Sequence, residues 1–492
     1  MKASIILLIA TFFVISNPIL GQNYTNVKVN HLTVGDQDTD GGNSIAVVGS
    51  NIYLLWQDMN STYLSYVSKS TDGGVTFGNG VQVSTAPLIF GSITSDNDGS
   101  VYVALSGLVG ESINGIYFAK STDQAQSFSP QVTVSADGIF ASIAVYGSNV
   151  YVSFYKQKPN NKIGYFFAKS TNGGTTFETP YEISDAEIDN IKFDSPSNMS
   201  IDNSGNIYCV WNDGRRNGTG TDIYLAKSTD NGVSFGTNIR VNDISGSSAK
   251  IRTGPSVAAF GSNVYVAWRQ EDDDQGSNRL IMFGKSSNGG TSFSAGAEKV
   301  IAIGGWGSPS LTVNSIEEIY IAYPQYTSQQ NGLFCSKSND QGVSFPTTVF
   351  ISGANANAQN PSIVIDADDT FYSVWSDNRS DDKDVYFSKG KITIVGVEEE
   401  ANNIPTQFEL MQNYPNPFNP TTMIRFNLPI SGNVTLKVFD LLGKEVAVLV
   451  NEHKPAGTYE IEFNGMGLSS GVYFYQITAG NFVSVKKFTL IK

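Results

Sequence analysis

One short stretch occurs six times along this chain of 492 residues. Each copy joins serine, a short acidic or amide residue, small residues and a closing phenylalanine. The copies are SKSTDGGVTF (68–77), AKSTDQAQSF (119–128), AKSTNGGTTF (168–177), AKSTDNGVSF (226–235), GKSSNGGTSF (284–293) and SKSNDQGVSF (336–345). Because one protein rarely needs the same catalytic centre six times, the repetition points first to a repeated structural unit.

A second pattern precedes each copy and occurs seven times: a small-apolar run, a turn, and an apolar strand with a shared tyrosine. The tyrosines are Tyr53, Tyr102, Tyr151, Tyr208, Tyr265, Tyr320 and Tyr372, at spacings of 49 to 57 residues. Each unit holds four strand-like runs: inner strand A, strand B with the tyrosine, strand C ending in Lys-Ser, and strand D after the glycine turn. Strand B is apolar on both faces, as in a sheet packed between two others. We therefore predict an all-β fold, with a seven-bladed β-propeller over residues 22–392.

The seventh unit stops at SKG (388–390) and lacks a strand D. The segment NVKVN (26–30) resembles the D strands GVQVS (80–84) and NIRVN (238–242). We infer that residues 26–30 complete the last blade and close the ring. The segment KITIV (391–395) is the alternative, and the pattern does not separate the two.

The repeated stretch resembles the Asp-box, or BNR repeat, of sialidases, Ser-x-Asp-x-Gly-x-x-Phe/Trp. Ser70, Asp72, Gly74 and Phe77 fit that motif in the first copy. Other copies depart from it, with Asn172 and Asn288 in place of the aspartate and Ala125 in place of the glycine. The resemblance covers the seven units and implies a sialidase-like propeller.

We interpret the Asp-box as a turn. A short carboxylate or amide accepts hydrogen bonds from nearby backbone N–H groups, and glycine adopts a positive φ without steric cost. The phenylalanine is expected to be buried as a plug between strands. Calcium binding by these acidic loops is the alternative, and we otherwise predict no metal site and no cofactor.

Ligands of propellers usually bind at the face formed by the B–C and D–A loops, opposite the Asp-boxes. Two B–C loops share the forms Trp211-Asn-Asp213-Gly-Arg215 and Trp375-Ser-Asp377-Asn-Arg379. Such an Asp–Arg pair can orient a sugar hydroxyl or carboxylate. The alternative, which we favour, is an ion pair that ties the loop down.

Other candidates for ligand binding lie beside these loops. Arg252 comes just before an inner strand, and Arg269 follows a strand B. Trp306 lies in a glycine-rich loop, where its ring can stack on a sugar or cap the channel. Asp36 and Asp38 in the first D–A segment are the candidate catalytic acids.

The resemblance implies, for active sialidases, three arginines for the substrate carboxylate, an aspartic acid and a Tyr–Glu nucleophile pair. The Phe/Tyr-Arg-Ile-Pro motif of that family is absent, and no arginine precedes Arg215. A carboxylate clamp here would need Arg215, Arg252, Arg269 and Arg379, with Asp36 or Asp38 as the acid. We therefore favour a binding module for glycans or other extracellular ligands. The alternatives are an exo-α-sialidase-type glycoside hydrolase and a structural surface protein.

The charge and the N-terminus narrow the class of protein further. A net charge of −14 argues against nucleic acid as a partner. Lys2 followed by the apolar run IILLIATFFVI (5–15) predicts a signal peptide over residues 1–21. No later stretch is apolar for long enough to predict a transmembrane helix.

The composition changes in a predicted linker, residues 393–405, and residues 406–492 are predicted to form a small immunoglobulin-like β-sandwich. Their motifs are YPNPFNPT (414–421), DLLGKE (440–445) and SGVY (470–473), followed by a basic final strand. These motifs resemble the C-terminal sorting domain of type IX secretion substrates. The resemblance implies contact with the type IX secretion machinery and a location outside the cell or on its outer surface.

Overall fold

The computed structural model describes most of the chain from residue 24 to residue 491. The described ranges are 24–30, 35–39, 43–60, 63–109, 112–160, 162–189, 191, 198–215, 220–242, 250–272, 279–294, 298–305, 307–326, 331–353, 356–380, 382–392, 407–454 and 457–491. The predicted signal peptide, the predicted linker and Trp306 lie outside these residues. The chain divides into two compact units, residues 1–393 and 394–492.

The first unit contains strands only, within the described residues. Its first fourteen strands are β1 (Val27–Lys28), β2 (Gln37–Asp38), β3 (Ile45–Val48), β4 (Asn51–Asp58), β5 (Ser65–Ser70), β6 (Val81–Gln82), β7 (Leu88–Ser95), β8 (Val101–Val109), β9 (Ser112–Ser121), β10 (Val132–Ser135), β11 (Ile139–Tyr146), β12 (Asn149–Gln157), β13 (Ile163–Ser170) and β14 (Tyr181–Glu182). The next fifteen are β15 (Asn198–Ile201), β16 (Ile207–Asp213), β17 (Asp222–Ser228), β18 (Ile239–Arg240), β19 (Ile251–Phe260), β20 (Asn263–Glu271), β21 (Leu280–Ser286), β22 (Lys299–Ile303), β23 (Ser310–Val313), β24 (Ile319–Tyr326), β25 (Asn331–Ser338), β26 (Thr347–Phe350), β27 (Gln359–Ile365), β28 (Phe371–Ser380) and β29 (Asp382–Gly390).

In the described residues these strands form seven antiparallel sheets, which we number along the chain. Sheet 1 holds β2–β6, sheet 2 β7–β10, sheet 3 β11–β14, sheet 4 β15–β18, sheet 5 β19–β22, sheet 6 β23–β26, and sheet 7 β27–β29 with β1. The inner strands β3, β7, β11, β15, β19, β23 and β27 each contact the next, and β27 contacts β3. The sheets therefore surround a central axis in a closed, propeller-like ring. No helix long and apolar enough to cross a membrane occurs among the described residues.

Serine side chains join neighbouring inner strands around the axis. The Ser256 hydroxyl accepts a hydrogen bond from the backbone N–H of Leu311 at 3.0 Å, and Ser310 accepts one from Ile363 at 3.1 Å. Across the closure of the ring, Ser362 accepts a hydrogen bond from the N–H of Ser44 at 3.1 Å. The serine that recurs at the start of strand A therefore holds one sheet to the next.

The N-terminal strand closes the ring. In β1, Val27 pairs with Phe387 and Lys28 with Tyr386 on the outer strand of sheet 7. Residues 391 and 392 belong to no strand. The inference that residues 26–30 pair with the last sheet is thus confirmed, while residues 393–395 of the alternative segment lie outside the described residues.

The two repeated sequence signals meet as cross-strand pairs. The shared tyrosine of strand B lies opposite the lysine that opens the Asp-box, as in Tyr102–Lys120 and Tyr320–Lys337. The ammonium group of Lys120 lies 4.7 Å from the centre of the Tyr102 ring, which is cation–π geometry. The tyrosine of strand B and the lysine of strand C therefore form one recurring cross-strand contact.

The second unit has two sheets around one core. Its strands are β30 (Glu409–Leu410), β31 (Thr421–Leu428), β32 (Gly432–Phe439), β33 (Glu445–Lys454), β34 (Gly457–Asn464), β35 (Gly471–Ala479) and β36 (Phe482–Leu490). One sheet has the order β30-β31-β34 and the other β33-β32-β35-β36. Buried residues of both sheets, such as Phe426 and Tyr475, belong to a single hydrophobic cluster.

Candidate ligand-binding face of the ring

The Asp-box in the first unit is a self-contained turn. The Asp72 carboxylate accepts hydrogen bonds from the N–H groups of Val75 and Thr76, both at 3.0 Å. The Ser70 hydroxyl donates to Asp72 at 2.7 Å and accepts from the N–H of Gly74 at 2.8 Å. Gly74 has a φ of +89°, which explains the preference for glycine there. The recurring serine and aspartate of the box thus form hydrogen bonds with each other and with backbone N–H groups of the same turn.

The interchange of aspartate and asparagine follows from a hydroxyl two residues past the glycine. The Thr76 hydroxyl donates to Asp72 at 2.6 Å, whereas the Thr176 hydroxyl accepts from the Asn172 amide at 2.8 Å. A hydroxyl can play either part, since it is both donor and acceptor. The Asn172 oxygen still accepts from the N–H of Thr176 at 3.0 Å. Both residue types therefore build the same turn.

The phenylalanine of the box packs between strands, as predicted, and the strands it contacts belong to the neighbouring sheet. The Phe77 ring lies 5.1 Å from Phe387 of sheet 7, and Phe177 of sheet 3 lies 5.3 Å from Phe118 of sheet 2, both edge to face. Phe77 is only partly buried. The motif is thus a contact between sheets, which explains why it recurs around the ring.

The described residues contain no cluster of side chains suited to binding a metal ion. There, no group of three or more His, Cys, Asp or Glu side chains could hold a metal ion. Calcium binding at the Asp-boxes stays an untested alternative.

The box carboxylates give an expected pH dependence. The Ser234 hydroxyl, followed by the backbone N–H of that residue, lowers the pKa of Asp230 to about 2. A carboxyl whose pKa is lower in the folded chain contributes stability that is present above about pH 4 and lost as the pH falls toward 2. Asp230→Asn should keep the turn and remove this part of the acid dependence, which acid unfolding curves of both proteins will show.

The matched substitution Asp230→Ala removes the acceptor at every pH. We expect Asp230→Asn to melt close to the wild type at pH 7 and Asp230→Ala to melt about 2–4 °C lower. Equal melting temperatures for Asp230→Ala and the wild type would contradict the structural role of the box.

The opposite face carries the B–C and D–A loops, because the strands of each sheet alternate in direction. On this face the Arg215 guanidinium binds Asp213 through two nitrogens, at 2.9 and 2.6 Å, and lies 4.1 Å from the centre of the Tyr224 ring. The Trp211 indole donates to the same carboxylate at 3.0 Å. Asp185 also contacts Arg215. These contacts match the loop-fastening ion pair.

The second copy of this sequence form repeats the geometry in sheet 7. Arg379 binds Asp377 and lies 4.2 Å from the centre of the Tyr386 ring, while Trp375 donates to Asp377 at 3.2 Å. Tyr386 pairs with β1, the outer strand of its sheet. Arg379 therefore sits over the outer half of sheet 7, away from the inner strands.

Arg252 and Arg269 extend from opposite faces of sheet 5. Arg252 donates to Gln270 at 3.0 Å and to Asp222 of sheet 4 at 3.1 Å. Arg269 precedes Gln270 in the same strand, so its side chain points to the other face, where it pairs with Glu271 at 2.8 Å. Both arginines are almost fully buried, with 4% and 1% of their surface exposed.

The candidate acids follow the ring-closing strand β1: Asp38 lies in β2, and Asp36 lies just before it. Burial alone would raise the pKa of Asp38, but the Lys383 ammonium, 3.0 Å away, and several hydrogen bonds hold that pKa below its ordinary value. The Asp36 carboxylate accepts a hydrogen bond from the N–H of Lys383 at 2.9 Å. In the described residues the four arginines thus engage carboxylates other than the two candidate acids, and both candidate acids contact Lys383.

A feature missed from the sequence lies where the inner strands begin. In sheets 2, 3, 5 and 7 a bulge interrupts strand A just before the recurrent serine. The bulge residues Phe90, Phe140, Gly254 and Asn360 have φ between +51° and +59°. In the sequence, each bulge residue stands two places before that serine, as in Phe90-Gly-Ser and Asn360-Pro-Ser, and this position is the signal that could have indicated the bulge. Since these bulges start the inner strands, they surround the mouth of the channel.

The described residues at the mouth include the rings of Phe90 and Phe140 and the amides of Asn43, Asn198 and Asn360. The rings of Phe90 and Phe140 meet edge to face at 4.8 Å, and Phe90 remains partly exposed. Asn198 of sheet 4 donates to Asn43, which precedes β3 of sheet 1, at 3.1 Å. This bond joins residues three sheets apart, so it spans the channel. Asn360 donates to Asp38 at 3.2 Å.

Comparisons with known proteins bear on both units. Residues 412–492 match the family described as the secretion system C-terminal sorting domain. The chain therefore carries a type IX sorting domain, which implies export to the cell surface or into the medium. No curated protein sequence matches the chain at a significant level.

Solved structures resemble the fold at low sequence identity. An ulvan lyase of polysaccharide lyase family 25, bound to a glucuronic acid–rhamnose 3-sulfate unit, is 12% identical with a TM-score of 0.53, over 74% of this chain and 95% of that one. A sialidase of Trypanosoma rangeli is 11% identical with a TM-score of 0.44, over 83% and 86%. PorZ, a surface component of the type IX secretion system of Porphyromonas gingivalis, is 11% identical with a TM-score of 0.37, over 91% and 70%. The protein is thus an exported protein whose described residues form strands and no helices, with a fold like that of the polysaccharide lyase.

Proposed function

We propose that the first unit is a seven-bladed, sialidase-like propeller that binds an extracellular polysaccharide at the channel mouth. The second unit is then an immunoglobulin-like sandwich that serves export. The observation that carries the proposal is the partly exposed Phe90 ring, held at the mouth with a φ of +56°. A bulky residue in the left-handed region costs free energy, of order 1–3 kcal/mol, and such strain clusters at functional sites.

The chemistry of the mouth suits a sugar chain. An aromatic ring offers an apolar face for the C–H groups of a sugar, while the amides of Asn43, Asn198 and Asn360 can exchange hydrogen bonds with hydroxyl groups. The ulvan lyase with a similar fold is itself a polysaccharide-binding protein, as its bound saccharide shows. That likeness supports polysaccharide as the ligand class.

Binding is favoured over sialidase-type hydrolysis because of where the arginines are engaged. A clamp for a substrate carboxylate needs guanidinium groups directed at one point. In the described residues, Arg252 and Arg269 point to opposite faces of their sheet, and Arg215 and Arg379 bind carboxylates within their own loops.

The test removes the ring without straining the backbone. Phe90→Gly should weaken binding about tenfold to an immobilised polysaccharide that the wild type binds, with ulvan and a sialylated glycan as the first probes. The melting temperature should change little, because glycine relieves the positive-φ strain while the contact with Phe140 is lost. Tyr146→Ala is the matched control, since Tyr146 is an exposed aromatic on the Asp-box side.

Unchanged affinity in Phe90→Gly, or equal losses in both variants, would contradict the proposed site. Release of sialic acid by the wild type would instead favour the hydrolase.

A further inference from the structure

The sorting domain presents four consecutive exposed residues, Tyr414 to Pro417, which we call the Tyr-Pro ridge. Tyr414 is 81% exposed, which is unusual for a large aromatic side chain. Pro415 and Pro417 fix their own φ angles and restrict the residue before each. The ridge is therefore a stiff, partly apolar segment on the surface.

Buried residues fasten both ends of the ridge. Asn413, 2% exposed, donates from its side chain to the carbonyl of Pro415 at 3.1 Å and to Thr422 at 2.9 Å. Its backbone N–H donates to the Tyr475 hydroxyl at 2.8 Å. At the other end Phe418, 1% exposed, lies 5.1 Å from Phe488 in the core.

The ridge is also mounted on the last strand. The N–H of Phe418 donates to the carbonyl of Thr489 and the N–H of Ile491 donates to the carbonyl of Phe418, both at 3.0 Å. The Asn416 side chain accepts from the N–H of Thr489 at 2.9 Å. The ridge thus covers one end of the edge of β36 and takes its position from that strand.

This arrangement does little for stability at the exposed positions. The hydrogen bonds that hold the ridge involve the side chains of Asn413 and Asn416 and the backbone, whereas the Tyr414 ring faces solvent. A rigid segment loses little entropy on binding, and tyrosine is enriched among the residues that dominate binding energy, usually in well-packed pockets.

We propose that the Tyr-Pro ridge is the surface by which a component of the type IX secretion machinery recognises this domain, through an apolar pocket that takes the Tyr414 ring. The sorting-domain match begins at residue 412, just before the ridge. The inference does not depend on the ligand of the first unit.

A second exposed apolar surface supplies the control. On the outer face of the four-stranded sheet, Val483 and Val485 of β36 are 54% and 53% exposed, beside Phe474 of β35. A machinery component that read the sheet face would need these residues and not Tyr414.

The experiment expresses the full chain in a bacterium with type IX secretion and measures the ratio of exported to periplasmic protein. Tyr414→Ala should lower that ratio about tenfold, Tyr414→Phe should retain it, and Val485→Ser should leave it unchanged. Purified full-length variants should melt like the wild type. If Tyr414→Ala melts lower, its export is compared with that of Val450→Ala, which weakens the core of the same domain at a buried site and leaves the ridge intact.

Normal export of Tyr414→Ala would overturn the proposal, as would equal loss in Val450→Ala at a matched melting temperature. Blocked export of Val485→Ser with normal export of Tyr414→Ala would assign recognition to the sheet face. Self-association of the wild type that Tyr414→Ala abolishes, with export unchanged, would assign the ridge to contacts between copies.

Discussion

Deleting residues 22–31 is expected to lower the melting temperature of the ring by about 10 °C or more, because closure depends on this segment. The deletion removes β1 and buried Val29, and it leaves the outer edge of β29 without a partner. Asp384, 3% exposed, loses Lys28 at 2.7 Å and Asn30 at 2.9 Å. A buried carboxylate that loses two of its partners is costly, so the loss extends beyond the strand pairing.

A pair of proline substitutions separates strand pairing from a general effect of the terminus. Val29→Pro removes the donor of the bond from the Val29 N–H to the Val385 carbonyl, which is 2.8 Å long. Lys391→Pro changes the alternative segment at a described residue that belongs to no strand. Calorimetry should show a lower melting temperature for Val29→Pro and little change for Lys391→Pro. The reverse order would contradict closure by the N-terminus.

Removing residues 394–492 is expected to abolish export while the ring remains folded. The division of the chain falls at this point, and the sorting-domain match lies wholly beyond it. The shortened protein should accumulate in the periplasm, which cell fractionation will show. Its melting transition should coincide with the transition of the ring in the full chain, because the two units have separate cores.

The control for this deletion is the full chain in a strain without type IX secretion, where it should accumulate in the same way. Surface display of the shortened chain in the secreting strain would show that residues 394–492 are not needed for export. An unfolded ring would show that the units depend on each other for stability.

Much of the fold was predictable because the interactions that shape each repeat join residues that are close in sequence. The Asp-box is satisfied within ten residues, as Asp72 and Ser70 show, so its turn needs no distant partner. The likeness of residues 26–30 to a strand D rested on alternation alone, and it identified the pairing of β1 with β29. The motifs of the sorting domain are likewise contiguous in sequence.

The candidate site was less predictable, because a side chain's direction depends on strand register. The sequence places both Arg252 and Arg269 beside the loops of the ligand-binding face. The alternation of side chains along the strands of sheet 5 nevertheless directs the two arginines to opposite faces of that sheet. Arg215 and Arg379 are engaged by the aspartates two residues before them, as the favoured ion-pair interpretation of the sequence predicts. Asp38 is held by Lys383, more than three hundred residues away, a contact that exists only in the closed ring.

By itself, the sequence determined the repeating β unit, the Asp-box turns and the sorting domain, because each depends on short-range hydrogen bonding or on alternation along one strand. For the closing strand the sequence left two candidates, and the structure shows β1 paired with β29. Only the tertiary structure decided what meets at the axis. The bulges that raise Phe90 and Phe140 at the mouth arise from a register shift between paired strands, and the bond from Asn198 to Asn43 requires sheets 1 and 4 to face each other across the channel. Contacts of that kind depend on the radius of the closed ring, a property of all its sheets together.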